Sequence, residues 1–176
     1  MIIRKMEITY RYCPTCAGPL ESRLLKPGEP ERLVCSLCSQ IIFMDPKVAV
    51  GTIIVNVERE IVLVRRAIEP GYGLWVFPGG YVDKGELVTA AALREAREEA
   101  GLEIKLDRLL NVYSYQGRQI VVIVYAATAI GGELCHDDEC LEVRWFRPSE
   151  IPWETLAFDS TREGLREFLG TSRPLS

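Results

Sequence analysis

The chain has 176 residues, enough for one ordinary domain or a domain with a small module, and carries a formal net charge of −4. With 48% hydrophobic and 26% charged residues it has a globular composition. The acidic balance argues against a nucleic-acid partner and demands cations for any phosphate ligand.

The N-terminal Met-Ile-Ile-Arg-Lys-Met-Glu shows no long apolar stretch and no small-residue cleavage site, so no signal peptide is expected. The longest apolar run, Ile120 to Ile130, is broken by Thr128 and falls short of the roughly 18 residues of a membrane span. A cytoplasmic protein with no membrane partner is expected, and in a reducing compartment its six cysteines need a reason other than disulfides.

Cys13-Pro-Thr-Cys16 and Cys35-Ser-Leu-Cys38 supply that reason for four of them. Two residues between cysteines let a tight turn aim both sulfurs at one point, and two such turns offer a tetrahedron of thiolates to structural Zn²⁺. Short strands near Leu20–Leu25 and Arg32–Val34, joined by a turn at Pro27-Gly28, predict a zinc ribbon over residues 1–44; four unrelated buried cysteines are the alternative. A second domain then occupies 45–176.

In that domain Val48–Val57 and Ile61–Val64 read as a hairpin, Glu69–Gly73 as a loop and Leu74–Phe77 as a short extended run before Pro78. Arg65 and Arg66 close the second strand and are candidates for phosphate or ribose, with a solvated strand end as the alternative; Lys84 and Arg118 are looser candidates. Trp75 and Phe77 are candidates for stacking on a base, or for the core. Glu86 to Ala100 is rich in Ala, Leu, Arg and Glu and predicts a helix capped by Gly101, with Leu93, Ala96 and Ala100 facing the core. Glu86 is expected at its start, where its charge complements the dipole. Strands are predicted over Ile104–Val112, Gln119–Ala127 and Leu141–Phe146, and a last helix from an Asp159-Ser160 cap through Leu169, with Thr171 onward frayed. Strands and helices mix without regular βαβ alternation, so the fold class is α+β. Cys135, His136 and Cys140 read as loop residues with no shared role.

Glu95, Glu98 and Glu99 stand at i, i+3 and i+4 and so share one helix face. Such clustering is repulsive unless a hard divalent cation reverses its sign. Arg94 sits one turn before Glu98 to orient a carboxylate, and Gly79-Gly80 lets a backbone carbonyl approach the cation. On spacing alone, a solvated acidic helix stays open.

The full stretch resembles the Nudix hydrolase family, whose box reads Gly-x5-Glu-x7-Arg-Glu-U-x-Glu-Glu-x-Gly-U, with U bulky and aliphatic. Gly80, Glu86, Arg94, Glu95, Glu98, Glu99, Gly101 and Leu102 match every fixed position; Ala96 is smaller than the usual aliphatic residue. The resemblance implies an α/β/α sandwich around a mixed sheet. It implies hydrolysis of a nucleoside diphosphate linked to another moiety. It also implies that Glu98 and Glu99, helped by Glu95 and the Gly80 carbonyl, bind Mg²⁺ or Mn²⁺, with Glu86 and Arg94 orienting the box. A further glutamate from a late loop completes the site in some members: Glu139 is the candidate, Glu142 the second. Glu95 or Glu139 would serve as base.

Ribbon-bearing members of the family include NADH pyrophosphatases, but their Ser-Gln-Pro-Trp-Pro-Phe-Pro element is replaced here by Tyr113-Ser-Tyr-Gln-Gly-Arg-Gln119. The cysteine pairs, the Asp45-Pro-Lys47 linker, the Gly73-Leu-Trp75 loop and Leu156-Ala-Phe-Asp-Ser160 are similar to a group resembling ADP-ribose and FAD pyrophosphatases. No proline lies between Pro78 and Pro148, so the usual ADP-ribose signature past the box is missing and the choice between ADP-ribose and FAD stays open. From another functional class, a nucleotide sensor whose ribbon recruits a partner or nucleic acid is the alternative. A homodimer also stays open.

Overall fold

The computed structural model describes residues 10–170; the leader-peptide and C-terminal fraying expectations fall outside them. Two compact units divide between Asp45 and Pro46. In the first, β1 (Leu20–Arg23), β2 (Arg32–Cys35) and β3 (Ile41–Ile42) form an antiparallel sheet, with Leu20 opposite Cys35 and Val34 opposite Ile41. Cys13, Val34 and Cys35 are its buried side chains, a core too small to hold a fold unaided.

The second unit is built on β4 (Lys47–Val55), β5 (Ile61–Arg66), β6 (Trp75–Val76), β7 (Gly79–Tyr81), β8 (Leu102–Ser114), β9 (Ile120–Gly132) and β10 (Cys140–Phe146). The sheet runs β10-β5-β4-β9-β8, with β6 on β5 and β7 on β4. The β4–β9 pair is parallel and the other pairings are antiparallel, so the sheet is mixed, as expected.

Helix α1 (Val88–Ala100) and helix α2 (Asp159–Phe168) cover opposite faces, and β4 shows why. Successive strand residues point to opposite sides. Val50 packs with Ala91 and Ala92 of α1. Its neighbour Gly51 leaves room for the Phe77 ring, and Gly164 of α2 lies against Phe77 and Ile53. A strand covered on both faces needs near-continuous apolar residues, and Ala49 to Ile54 are all buried. Among the described residues no helix is long and apolar enough to cross a membrane.

Three local expectations change. Helix α1 starts at Val88 with Leu87 as N-cap and no acidic residue in its first turn, so Glu86 lies ahead of the helix. Leu93 is 42% exposed, while Ala91, Ala92, Ala96 and Ala100 are buried: the helix packs close on small side chains and turns its leucine outward. The N-cap of α2 is Phe158, so Asp159 is its first helical residue and caps nothing. Gly101 does end α1, in the left-handed region at φ 70° with its N–H on the Arg97 carbonyl.

Because Phe77 is buried under Gly51, Gly51→Ala pushes a methyl into the Phe77 ring, which must shift to admit it. We expect a loss of about 1–3 kcal/mol and a Tm lower by roughly 3–10 °C, read by thermal unfolding; an unchanged Tm would contradict the packing.

Candidate active site

The β4–β7 pairing brings Gly79 and Gly80 against Gly51 and Val50 and ends beneath the inner face of α1. Gly80 touches the Glu95 carboxylate so closely that a Cβ there would overlap it. The Gly79 N–H donates to Glu99 Oε2 at 2.7 Å. Glu95 and Glu99 are thus turned inward, 9% and 6% exposed, while Glu98 is half exposed.

Arg94 gathers the cluster. Its Nε and Nη2 donate to the two oxygens of Glu86 at 2.9 and 3.0 Å. Its Nη1 donates to Glu95 Oε1 at 2.8 Å and Glu98 Oε2 at 3.0 Å, and Nη2 also reaches the Tyr81 carbonyl at 3.2 Å. Glu86, which also accepts from the Asp83 N–H, is held below the usual carboxylate range, first by Arg94 and then by that amide. Burial pushes Glu95 up, with Arg94 opposing. Burial pushes Glu99 up to about 8, against the Gly79 N–H; Glu95 and Asp137 add to the rise and Arg66 opposes it. The result is an all-oxygen acidic cluster with two carboxylates that are costly to ionise, chemistry that suits a hard divalent cation.

Gly79, Gly80, Arg94, Glu95, Glu98 and Glu99 line a cleft of about 620 Å³ in the second unit, with Arg66, Phe77 and Glu139 also on its walls; Glu86 stands outside the lining. Arg65 and Trp75, expected near a substrate, are not among the lining residues. Alternation along β5 places Arg65 on the side opposite Arg66. There its Nε stands 3.4 Å from Glu142 Oε2, and its guanidinium lies 6.0 Å from the Trp75 ring centre. Trp75 packs edge-on to Phe146, with ring centres 4.9 Å apart. Glu142, committed to Arg65, also lies outside the cleft lining. Phe77 reaches the wall but is a core residue, 3% exposed.

The sequence reading does not single out Tyr115, Asp137 and Phe158, which line the cleft, nor Asp159 to Thr161 as site residues. They come from a turn, a loop and a helix start, where no periodicity marks them. Cys140 is buried opposite Arg66, its thiol pushed up to about 12 by burial, while Cys135 is exposed and packs at Gly101.

In the first unit the sulfurs of Cys13, Cys16, Cys35 and Cys38 all lie within 4.8 Å of one another. Cys13 and Cys38 are 3.7 Å apart, Cys16 and Cys35 3.5 Å. Two thiolates on tetrahedral zinc with bonds of about 2.3 Å stand roughly 3.8 Å apart, so the cluster fits the ion. The Thr15 and Cys38 N–H groups donate to Cys13 and Cys35 sulfurs, and the latter bond leads the causes that lower the Cys35 pKa.

Comparison with known proteins agrees with both units. The NUDIX domain family matches residues 45–168, and the zinc-ribbon family described as Nudix N-terminal matches 11–43. The chain belongs to the Nudix hydrolase family and carries that family's N-terminal ribbon. It is 38% identical over 122 residues to an ADP-ribose pyrophosphatase of Methanocaldococcus jannaschii, covering 67% of this chain and 70% of that one. It is 27% identical over 146 residues to the NAD-capped RNA hydrolase NudC of Edwardsiella ictaluri, covering 82% of this chain but 54% of that relative. A NUDIX hydrolase structure from Nitrosomonas europaea superposes with a TM-score of 0.86 at 31% identity, covering 92% of this chain and 91% of that one.

Two measurements check the site. Protonated Glu99 stabilises the fold relative to the unfolded chain, fully so below about 4.5, and that contribution is lost as pH rises through about 8. Without added magnesium or manganese, Tm should therefore fall between pH 5.5 and 8.5, and Glu99→Gln should flatten the slope; equal slopes would contradict the burial argument. Cys16→Ser should lower bound zinc measured by elemental analysis and destabilise the first unit; unchanged zinc content would count against the ribbon site.

Proposed function

We propose that this chain is a divalent-cation-dependent pyrophosphohydrolase that cleaves the phosphoanhydride of a nucleoside diphosphate joined to another moiety, with ADP-ribose or FAD as its substrate. The observation that carries the reading is the convergence of Glu95, Glu98 and Glu99 on one wall of the cleft, gathered by Arg94 and the Gly79-Gly80 backbone.

Glu95, Glu98, Glu99 and the Gly80 carbonyl would hold Mg²⁺ or Mn²⁺, and the donor set fits: oxygen ligands alone, with Glu99 buried and bonded to a single backbone amide. When bound, the cation neutralises phosphate oxygens and lowers the pKa of water. The protein's own residues do the rest. Arg94 fixes Glu95 and Glu98 in place and uses Glu86 as its own anchor. Arg66, on the same cleft wall, offers a cation to the substrate's phosphates. Glu95 or Glu139 takes the proton of the attacking water, a contribution of roughly 10²–10⁴-fold. Attack in line on phosphorus yields two monophosphates.

The relative with the ADP-ribose name supports that substrate. The NudC relatives support a dinucleotide substrate more generally, but this chain spans about half their length and lacks the Ser-Gln-Pro-Trp-Pro-Phe-Pro element.

Incubation with Mg²⁺ and a panel of ADP-ribose, FAD, NADH, CoA, dinucleoside polyphosphates and oxidised nucleoside triphosphates, with products resolved by chromatography, tests the reading. Turnover of ADP-ribose or FAD is expected, and no turnover of any compound would leave a nucleotide sensor instead. Glu98→Gln should lower kcat/KM by at least roughly 10²-fold with an unaltered circular-dichroism spectrum; retained turnover would contradict the cation assignment.

A further inference from the structure

The loop between β9 and β10 carries Asp137 and Glu139, and both line the cleft. The main chain of Glu139 is held on both sides. Its N–H donates to Asp137 Oδ1 at 2.9 Å, a turn that short acidic side chains close with an amide two residues on. Its carbonyl accepts from the Ala67 N–H at 2.7 Å, which ties it to the residue after Arg66. The Asp137 carbonyl in turn accepts from the Cys140 N–H at 3.3 Å and lies 3.0 Å from His136 Nδ1. Strand β10 then carries one extra residue, Leu141, because Cys140 stands opposite Arg66 and Glu142 opposite Arg65. Such a bulge bends a strand and re-aims the side chains beside it.

This fixing leaves the Glu139 carboxylate open. Among the described residues it has no hydrogen-bond or ion-pair partner. The carboxylates of Glu95 and Glu98 are taken up by Arg94, that of Glu99 by the Gly79 N–H and that of Asp137 by the Glu139 N–H. Glu139 is still near enough to Glu95 for its charge to push that carboxyl up. A proton acceptor needs an open oxygen on a fixed stem. Glu139 has both, and Asp137 supplies part of the fixing.

We propose that Asp137 is a positioning residue for the hydrolysis: by holding the Glu139 amide it sets the line along which the Glu139 carboxylate enters the cleft to take the proton of the attacking water. The inference rests on the hydrolase reading and chooses Glu139 over Glu95 as the acceptor. The proton passes from water to Glu139 as the water oxygen bonds to phosphorus. The bridging P–O bond breaks, and its electron pair leaves on the second phosphate. Asp137 touches none of these atoms. Its role needs an acceptor oxygen and no charge, so asparagine can replace it where alanine cannot.

The test is steady-state kinetics on the best substrate of the panel, beside hydrogen exchange at the Glu139 amide followed by NMR on the full chain without substrate. Asp137→Ala should lower kcat about 10-fold or more, the effect of a displaced proton acceptor, with KM changed by less than about 2-fold. Asp137→Asn should recover most of that loss. On a Glu139→Gln background, Asp137→Ala should cost less than about 2-fold more, because a residue that acts through another is not additive with it. The Glu139 amide should exchange about 10-fold faster in Asp137→Ala than in wild type or Asp137→Asn.

Wild-type kcat in Asp137→Ala, an Asp137→Asn variant as slow as Asp137→Ala, or full additivity with Glu139→Gln overturns the proposal. So does a Glu139 amide that exchanges alike in wild type and Asp137→Ala. No turnover by wild type, with that amide released by Asp137→Ala, overturns the hydrolase reading and the acceptor role with it, while the hold of Asp137 on Glu139 stands. Circular dichroism of each variant separates lost chemistry from lost folding.

Discussion

One guanidinium holds the acidic cluster of the cleft together. Arg94 spends its three nitrogens on Glu86, Glu95, Glu98 and the Tyr81 carbonyl. Without it, Glu95 and Glu98 on adjacent turns would lose the cation that offsets their repulsion. With it, they are presented as a group on one wall of a cleft. Its planar fork explains why the position calls for arginine: a lysine ammonium has no flat edge to pair with both oxygens of Glu86 while a third nitrogen faces the helix. Glu86 is the anchor of this device. It lies before α1, where the chain can fold back onto the arginine from outside the helix.

The sheet prepares the place where that group sits. Strand β4 is covered on both faces from Ala49 to Ile54. Its pairing with β7 sets Gly79 and Gly80 against the inner face of α1: the missing Gly79 side chain lets β7 lie close on the β4 backbone, where the Gly79 N–H meets Glu99, and the missing Gly80 side chain lets Glu95 press on the backbone. The burial that results raises both carboxyl groups. Stability is thus surrendered at the cleft and recovered in the core, where Ile53, Ile54 and Val62 to Val64 are wholly excluded from water.

Much of this was readable from residue order. The cysteine pairs announce a four-sulfur cluster because two-residue spacing is a local geometric instruction. The i, i+3, i+4 glutamates announce a shared face for the same reason. Strand and helix locations follow periodicity, with ends shifted by a few residues. What escaped is what depends on contacts across the fold. Leu93 fits the apolar stripe, yet alanines take the inner face because the helix lies close to β4. Arg65 and Arg66 are neighbours in sequence, and alternation sends them to opposite sides of the sheet. The cleft joins residues around Tyr115 to residues around Phe158, and no local pattern links the two.

The three tryptophans of the chain, Trp75, Trp145 and Trp153, are all absent from the cleft lining, whose aromatic residues are Phe77, Tyr81, Tyr115 and Phe158. Trp75 is locked against Phe146 and Trp153 lies beside Arg166. Indole emission from this protein should therefore report the packing of the sheet and its flanking turns rather than stacking on whatever occupies the cleft. With an adenine nucleotide, which does not absorb indole emission, occupancy should therefore enter an unfolding curve followed by that light as a shift of its midpoint rather than as quenching by a stacked base.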